Sequence, residues 1–421
     1  MGNYWRLRTG FVRCAPLCAV ICVCALLCSL VGTAFAQGGQ STPSSLRRLA
    51  ASAYAHRYGV SLGQARRVLA LQARGHGLDA ALRRRLGRRY VGAWFDNARR
   101  RWDIAIRSGA GLAGVRAQLA ARRLTRSRIE RVAAGSSSPD DAIGQLQQQL
   151  ATYLAAGAIT LGEGQGARVI VSMADDLPSQ DQEHVRAVVD AIGVAATVAV
   201  VPRAEVHPSP AACSDTFCDP PLVAGVKYAH DDGSSCTTGF AVHSPVDPAP
   251  FILTAGHCIR TGLSVWTCSV TGGVVCSTFG VDYSGYYGGG DGGLIKVTNP
   301  SWPTYAAWYN YPSQELPVLG SESAAIGEFL CHTGTVTRTT CGTVSAKNVS
   351  VTYSDGTALS GMTRVDGSCI NAGDSGGPFI NPNTGIAAGI TSGGVFGCST
   401  VVYYEEVQRA LQLLGVQLDT A

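Results

Sequence analysis

Cysteine and lysine are both absent from a long stretch of this 421-residue chain. Residues 37–206 contain 24 arginines and 13 acidic residues but no lysine and no cysteine, whereas ten of the 15 cysteines lie after residue 212. The missing cysteines exclude disulfides and thiolate-bound zinc from the first stretch. Cysteines and histidines nowhere cluster with zinc spacing, so we expect no metal and no cofactor.

Charge divides the chain at the same place. Residues 37–206 carry a net charge of +11, and residues 207–421, with seven basic and 16 acidic residues, carry −9. Opposite charges would speed the encounter of two parts that bind each other. Nucleic acid is the alternative partner for the arginines. However, the arginine runs at 83–85 and 99–101 are interrupted by apolar residues at helical spacing, so we interpret them as solvated helix faces and expect no nucleic-acid binding.

The first 36 residues have the form of an export signal. Three arginines precede an uncharged stretch over residues 14–36, which ends in the small-x-small sequence Ala34-Phe35-Ala36. We expect cleavage after Ala36 and a secreted, extracellular protein without stable membrane association. A retained membrane anchor is the alternative, because the stretch is long enough to span a bilayer.

Ser375 and His257 stand in two motifs that together describe a nucleophile and its base. Ser375 lies in Gly-Asp-Ser-Gly-Gly, and His257 lies in Ala-Gly-His-Cys. A serine hydroxyl needs a base to accept its proton and donors to hold the oxyanion. Gly373 allows the tight turn that would direct its own N–H and that of Ser375 at the oxyanion. Alone, the serine motif would be read as an ordinary turn.

The third catalytic group is expected between the histidine and the serine in the chain. Asp291 directly precedes a short apolar run, so it would stand where a loop enters a buried strand. Asp282 is the competitor, but it lacks that apolar continuation and is interpreted as a loop residue. Because the histidine precedes the serine, an α/β-hydrolase esterase is disfavoured.

Residues 222–418 resemble the secreted bacterial serine proteases of the chymotrypsin fold, typified by streptogrisins and alpha-lytic protease. The resemblance rests on Val223-Ala224-Gly225, the two motifs above, the Cys331–Cys341 hairpin, and a cysteine six residues before Ser375. It implies two antiparallel β-barrels with a C-terminal helix and the triad between them. It also implies that the strand with Ser392, Gly393 and Gly394 binds substrate.

The resemblance also implies three disulfides, Cys236–Cys258, Cys331–Cys341 and Cys369–Cys398. The four remaining cysteines after residue 212 are close enough in sequence to close two small loops, Cys213–Cys218 and Cys268–Cys276. An even number of cysteines behind an export signal indicates an oxidising compartment.

Three positions depart from the family pattern. His332 stands where an arginine usually pairs with the aspartate before the nucleophile, so the partner of Asp374 is open. Val401 and Val402 stand where glycines would leave the specificity pocket open, so a large hydrophobic preference does not carry over. Asp366 is read either as a selector of basic substrate residues or, in preference, as a solvated loop residue.

Residues 37–206 resemble the propeptides of the same proteases, which assist folding and block the cleft. Apolar spacing at Val68, Leu69 and Leu71, and at Ile104 and Ile106, is interpreted as helical, and residues 135–139 as a linker. Strands are expected at 167–173 and 196–201 and a helix at 181–192, opened by a capping box of Ser179 and Gln182. An unrelated helical binding domain is the alternative.

We therefore expect a signal peptide at 1–36, a propeptide at 37–206 and a protease domain at 207–421. Strands are expected at 239–243, 251–254, 293–297 and 386–391, and a final helix at 404–414. The expected function is that of a secreted, monomeric serine endopeptidase made as a self-processing zymogen. Its partners would be protein or peptide substrates and its own propeptide. The alternative is a catalytically silent, protease-like protein that only binds peptides.

Overall fold

The computed structural model describes residues 44–132, 138–207, 209–210, 219–269, 274–311 and 314–421. Among these residues, no helix is both long and apolar enough to cross a lipid bilayer. The helices are α1 (Ser44–Tyr58), α2 (Leu62–Arg74), α3 (Leu78–Leu86), α4 (Leu112–Ala121), α5 (Pro139–Gln149), α6 (Ala151–Ala155), α7 (Ser179–Ala191), α8 (Arg203–Val206) and α9 (Val407–Leu414). Cysteines 213 and 218 lie outside the described residues.

The strands before residue 220 are few, and those after it dominate the chain. The early strands are β1 (Tyr90–Asp96), β2 (Arg101–Arg107), β3 (Ser127–Val132), β4 (Ile159–Gly164), β5 (Arg168–Ala174), β6 (Ala196–Val201) and β7 (Ser209–Pro210). Those between residues 222 and 321 are β8 (Leu222–Ala224), β9 (Lys227–His230), β10 (Ser235–Thr237), β11 (Ala241–His243), β12 (Pro250–Thr254), β13 (Ser264–Ser269), β14 (Val275–Tyr287), β15 (Asp291–Val297), β16 (Thr304–Asn310), β17 (Gln314–Pro317) and β18 (Gly320–Ser321). The last are β19 (Phe329–Gly334), β20 (Arg338–Thr352), β21 (Ala358–Ile370), β22 (Pro378–Asn381), β23 (Ile386–Gly394), β24 (Gly397–Glu406) and β25 (Gln417–Leu418).

The C-terminal part, from Leu222 onward, contains two large antiparallel sheets and a small third sheet, β17-β16-β8, in which β16 runs parallel to β8. The first runs β10-β9-β13-β14-β15-β12-β11-β25 and forms an open half-barrel. In the second, the path β19-β22-β23-β24-β21-β20 closes into a six-stranded barrel because β19 also pairs with β20. This arrangement confirms the expected all-β, two-barrel fold with a C-terminal helix. The four sheet-edge and hairpin disulfides that the structure describes are Cys236–Cys258, Cys268–Cys276, Cys331–Cys341 and Cys369–Cys398.

The N-terminal segment, residues 44–207, forms two small layers that pack on the second barrel. Helices α1–α4 cover the sheet β1-β2-β3, and helices α5–α7 cover β4-β5-β6. Strand β4 pairs antiparallel with β20, so the second sheet continues from the barrel into the N-terminal segment. Strand addition and apolar packing therefore join the two parts of the chain.

Gln72 of α2 is the polar centre of this junction. Its side-chain amide donates to the carbonyl of Gly327 (3.0 Å), and its side-chain oxygen accepts from the N–H of Phe329 (3.1 Å). Gly327 has φ +87°, and a Cβ there would lie 1.9 Å from the carbonyl oxygen of Phe95 in β1. Nearby, Tyr54 packs edge-on against Phe329. The N-terminal segment thus satisfies backbone groups of the barrel that would otherwise be buried and unpaired.

Several expectations for the N-terminal segment were wrong in type or position. Ile104 and Ile106 lie in β2, because an i, i+2 spacing places both side chains on one face of a strand. Arginines 99–101 lie in the turn before β2 and at its start, not on a helix. Helix α7 begins at Ser179 with Pro178 at the cap position, so Ser179 forms no capping box, and the Gln182 side chain instead donates to the Leu177 carbonyl.

Two other expected boundaries, the start of the final helix and the end of the linker, differ from those in the structure. The final helix begins at Val407, not at residue 404, because Tyr404 is buried and pairs with Thr363 and Thr391 within β24. Of the expected linker at 135–139, residues 135–137 lie outside the described residues, and Pro139 already opens α5 with Ser138 as its N-cap. The remaining strand and helix expectations agree with the structure to within a few residues.

We predict that Gln72→Ala, made in the full-length Ser375→Ala chain, lowers the free energy of unfolding by about 1–3 kcal/mol. The substitution removes the acceptor of the buried Phe329 N–H, whereas the Gly327 carbonyl keeps a hydrogen bond from the Asn97 side chain. Guanidinium denaturation measures the change. The matched control is Gln148→Ala on the exposed face of α5, which should leave the midpoint unchanged. Equal midpoints for Gln72→Ala and its parent would contradict this description of the junction.

Candidate active site

The structure brings His257, Asp291 and Ser375 together at the cleft between the two sheets. His257 lies in a single 3-10 turn (Gly256–Cys258) directly after β12, and Asp291 is the first residue of β15. Ser375 lies in the turn between β21 and β22. The Nε2 atom of His257 is 2.8 Å from Ser375 Oγ, and its Nδ1 atom is 2.8 Å from Asp291 Oδ2.

Asp291 is fully buried yet held as a carboxylate. Burial alone would raise its pKa, but the facing His257 ring and hydrogen bonds from His257 and Ser392 together hold that pKa below its usual value. The backbone N–H of His257 donates to Oδ1 (2.9 Å), and Ser392 Oγ donates to Oδ2 (2.5 Å). An ionised Asp291 only accepts, so Nδ1 of His257 carries the proton. The lone pair of Nε2 therefore faces Ser375.

The turn that carries Ser375 is fixed by the first sheet. The carbonyl of Gly373 accepts from Thr237 Oγ1 (2.6 Å), and the carbonyl of Ser375 accepts from the N–H of Thr237 (2.8 Å). Gly373 has φ +106°, in the region that favours glycine. Gly376 has φ +85°, and a Cβ there would meet Thr254 Oγ1 at 2.0 Å. Side chains at these two positions would therefore displace the turn.

The partner of Asp374 is a loop of the barrel and not the histidine at the departing position. Its Oδ1 accepts from the N–H groups of Val336 (2.8 Å) and Thr337 (3.1 Å). Its Oδ2 accepts from Thr337 Oγ1 (2.8 Å) and from the N–H of Asn371 (2.8 Å). Four hydrogen bonds thus replace the ion pair that an arginine would have supplied.

His332 has an apolar, structural environment instead. Its Nε2 donates to the carbonyl of Cys369 (2.7 Å), and its ring stacks on Phe379 at a centroid distance of 5.0 Å. Burial lowers the pKa of His332 despite the opposing charge of Asp374, so the ring is neutral at pH 7. The side chain therefore supports the strand before the nucleophile turn without forming an ion pair.

Glu405 is a site residue that sequence reasoning missed. Its Oε2 accepts from the backbone N–H of Asp291 (3.0 Å), and the guanidinium of Arg409 lies 3.1 Å from Oε1. Burial raises the pKa of Glu405 to about 7, although Arg409 and the Asp291 N–H act in the opposite direction. The sequence does offer one signal for Glu405: it ends a Tyr-rich stretch and is followed four residues later by an arginine.

The expected substrate strand lies beside Ser375 and already has a partner. The side chain of Ser392 contacts Asp291 and accepts from Tyr353 OH (2.9 Å). Gly393 and Gly394 pair antiparallel with Pro210 and Ser209 of β7, respectively. A strand that precedes the sheets of the C-terminal part therefore occupies the edge of β23 where a peptide would add.

The structure also defines the surroundings of Val401, Val402 and Asp366, the three residues whose effect on substrate preference the sequence left open. Val401 and Val402 are buried in β24, and Val402 pairs with Gly394. Asp366 lies in β21, not in a loop, and its Oδ1 accepts from Arg364 Nε (2.8 Å). This ion pair with Arg364 engages the carboxylate that would otherwise select a basic substrate residue.

Asp282, the competitor of Asp291, was wrongly interpreted as a loop residue. It lies inside β14, fully buried, and its Oδ2 is 2.8 Å from His230 Nε2. The same oxygen accepts from the N–H of Arg260 in the loop after His257 (2.7 Å). Asp282 therefore fixes the loop that follows the candidate base, while Asp291 contacts the base itself.

The chain is similar to several known proteins. A family model described as Trypsin matches residues 220–414. Streptogrisin-C of Streptomyces griseus is 27% identical over 366 residues, which cover 86% of this chain and 73% of that protein. Glutamyl endopeptidase 2 of the same organism is 32% identical over 197 residues, 46% of this chain and 98% of that protein. The solved structure of Nocardiopsis protease (NAPase) is 30% identical, covering 48% of this chain and 100% of that chain at a TM-score of 0.41.

The raised pKa of Glu405 predicts a specific pH dependence. Its pKa is about 7 when folded, against an ordinary value of 4.5, so the folded state holds the proton more tightly than the unfolded state. This contribution to stability is complete below pH 4.5 and is lost as the pH rises through 7. In the uncleaved Ser375→Ala background, Glu405→Gln should therefore reduce the fall in Tm between pH 4.5 and pH 7.5 by several degrees.

Differential scanning calorimetry at the two pH values measures the effect. The matched control is Glu183→Gln, an exposed glutamate of α7, which should keep the parental pH dependence. The same fall in Tm for Glu405→Gln and for its parent would show that Glu405 is ionised at both pH values.

Proposed function

Because the chain belongs to the trypsin family and is a serine-type endopeptidase, we propose that it is a secreted zymogen that processes itself, with His257, Asp291 and Ser375 as its triad. The observation that carries the assignment of the site is the unbroken hydrogen-bonded series from Asp291 through His257 to Ser375 Oγ. Its substrates are proteins or peptides, and residues 37–206 act as its propeptide.

His257 is the general base in this proposal. Its unprotonated Nε2 accepts the Ser375 proton as Oγ attacks the scissile carbonyl, and the ionised Asp291 stabilises the resulting imidazolium. His257 then donates that proton to the leaving amine. Water enters, gives a proton to His257 and hydrolyses the acyl-enzyme, which regenerates Ser375.

The N–H groups of Gly373 and Ser375 are the proposed oxyanion donors. Both carbonyls of the same turn are held by Thr237 of the first sheet. Asp374 accepts three hydrogen bonds from the loop after β19 and a fourth from Asn371 in its own turn. Donors fixed before the reaction need no reorganisation as charge develops on the carbonyl oxygen, and this is what makes such a site effective.

The structure of the N-terminal segment supports its role as a propeptide. Its strand β4 extends the sheet of the second barrel, and β7, which follows the boundary at residue 206, lies along the substrate strand. Antiparallel barrels depend on nonlocal contacts and fold slowly. A preformed strand next to β20 would lower that barrier, and β7 would exclude substrate until cleavage. The alignment with streptogrisin-C, over 366 residues, extends well beyond the protease part.

Secretion and the domain boundaries follow from the sequence. A signal peptide at 1–36, a propeptide at 37–206 and a protease domain at 207–421 place every cysteine after the signal in the protease domain. Disulfides such as Cys236–Cys258, next to His257, require an oxidising compartment.

We predict that Ser375→Ala lowers peptide turnover by on the order of a million-fold and abolishes fluorophosphonate labelling, because no other hydroxyl faces His257 Nε2 among the described residues. The mutant should also retain the mass of the unprocessed, secreted chain, while the wild type is shortened. Intact mass spectrometry of both proteins, with and without the probe, measures the three outcomes together.

The matched control is Ser301→Ala, at an exposed serine in a turn remote from the site, which should be labelled and processed like the wild type. A folded wild type that neither reacts with fluorophosphonate nor cleaves casein would instead support the peptide-binding alternative.

A further inference from the structure

Three consecutive glycines form the loop that leads into β15 and its first residue, Asp291. Gly288 and Gly289 have φ +130° and +71° and are exposed, whereas Gly290 is buried. Glycine loses more conformational freedom on ordering than any other residue. A loop of this composition does not by itself fix the residue that follows it, so other contacts must hold Asp291 in place.

The second barrel and the helix after it supply such contacts to Gly289. The N–H of Gly289 donates to the carbonyl of Ala358 (2.8 Å). Its carbonyl accepts from Ser360 Oγ (3.0 Å) and from Arg409 Nη2 (2.6 Å). Arg409 also donates through Nη1 to the carbonyl of Ser360 (2.8 Å). One guanidinium of α9 therefore joins the glycine loop to the start of β21.

Glu405 extends the same set of contacts to Asp291 itself. Its Oε2 atom accepts from the N–H of Asp291 (3.0 Å) and from Arg409 Nη1 (3.2 Å). A Cβ at Gly290 would lie 2.9 Å from that oxygen and 3.0 Å from Arg409 Nη1, so a side chain there would displace the pair. Glu405 and Arg409 together, the Glu405–Arg409 pair, thus hold both the loop and the backbone of Asp291.

The position of Asp291 sets the orientation of the base. Its Oδ1 and Oδ2 atoms accept from the backbone N–H and lie opposite Nδ1 of His257 (2.9 and 2.8 Å), and the ring in turn faces Ser375. Ser392 holds the end of the Asp291 side chain but not its backbone. A shift of that backbone therefore turns the His257 ring, and a misplacement of about 1 Å costs on the order of 100-fold in rate.

We propose that Glu405 and Arg409 are positioning residues for the reaction at Ser375, and that they act through the backbone of Asp291. This inference rests on the proposed function. Glu405 is fully buried, and Arg409 donates to two backbone carbonyls, so the pair should affect kcat and leave KM unchanged. A pair that only stabilises the fold would instead reduce the amount of folded enzyme without changing the rate of each folded molecule.

Glu405→Leu tests the buried end of the pair. It removes the acceptor of the Asp291 N–H, so kcat for a peptide p-nitroanilide should fall by about 10- to 100-fold while KM changes by less than about twofold. The rate constant of fluorophosphonate labelling should fall in parallel, because that reaction also needs His257 as its base. Labelling to completion counts the active molecules, which removes misfolded protein from kcat.

Glu405→Gln is the matched rescue, because its amide oxygen can replace Oε2 as the acceptor for both donors. It should retain most of the wild-type kcat. The control is Glu315→Leu, at an exposed glutamate of β17, which should leave kcat and the labelling rate unchanged. Wild-type kcat and labelling rate in Glu405→Leu would overturn the inference and leave the proposed protease intact.

Arg409→Met tests the other end of the pair, where the side chain is 33% exposed, and it decides the inference if Glu405→Leu does not fold. Its kcat should fall by about tenfold with KM unchanged. The double variant should lose little more than Glu405→Leu alone, since both residues act through one loop. Fully additive losses, or no loss in Arg409→Met, would contradict the inference.

The proton that His257 Nδ1 shares with Asp291 gives a direct spectroscopic readout. Its low-field signal in the proton NMR spectrum should shift or broaden in Glu405→Leu and keep the wild-type position in Glu405→Gln and Glu315→Leu. An unmoved signal in folded Glu405→Leu would show that Glu405 does not position the base. A wild type without peptide hydrolysis or fluorophosphonate labelling would instead refute the proposed function.

Discussion

One buried carboxylate joins the two sheets of the protease. Asp291 begins a strand of the first sheet, yet its side chain accepts from Ser392 of the second, and its N–H donates to Glu405, also of the second. Because its pKa stays low despite burial, it can hold a neighbouring histidine in one tautomer. The arrangement of the base therefore exists only when both sheets are in place. A site divided in this way depends on contacts between residues about a hundred positions apart in the chain.

Because the site needs both sheets in place, the packing of the N-terminal segment on the second barrel is significant. The segment has no described contact with the triad. One of its described ion pairs follows the charge difference between the two parts, with His76 on the segment and Glu322 on the protease, but the bridge between Arg364 and Glu205 has the opposite polarity. The segment instead satisfies backbone groups of the second barrel through Gln72 and lengthens its sheet through β4. Packing and strand pairing hold the parts together, while net charge acts on their encounter. The segment is thus part of the hydrophobic core of the full-length chain.

Much of the fold and of the site could be predicted from the sequence alone, because the catalytic motifs are local. Ser375, His257 and Asp291 each stand in a short sequence with a chemical reason for its residues. Partners across the fold could not be predicted in this way: Thr337 for Asp374, and Glu405 for the Asp291 N–H, are separated from them by 37 and 114 positions. The same limit applies to boundaries, since Tyr404 has helical neighbours in sequence but is bonded into a sheet.

Under the proposed processing, the pairing between β4 and β20 has a consequence for the enzyme once the N-terminal segment is removed. The second half of β20 then becomes an open sheet edge, and such edges invite association with other chains. This edge is irregular: Asn348 has φ +51°, the register with β21 shifts on both sides of Val349, and Lys347 contributes a cation. An interrupted, charged edge accepts only a strand shaped to match it. The irregularity that makes β4 a selective partner would therefore also keep the liberated enzyme from aggregating.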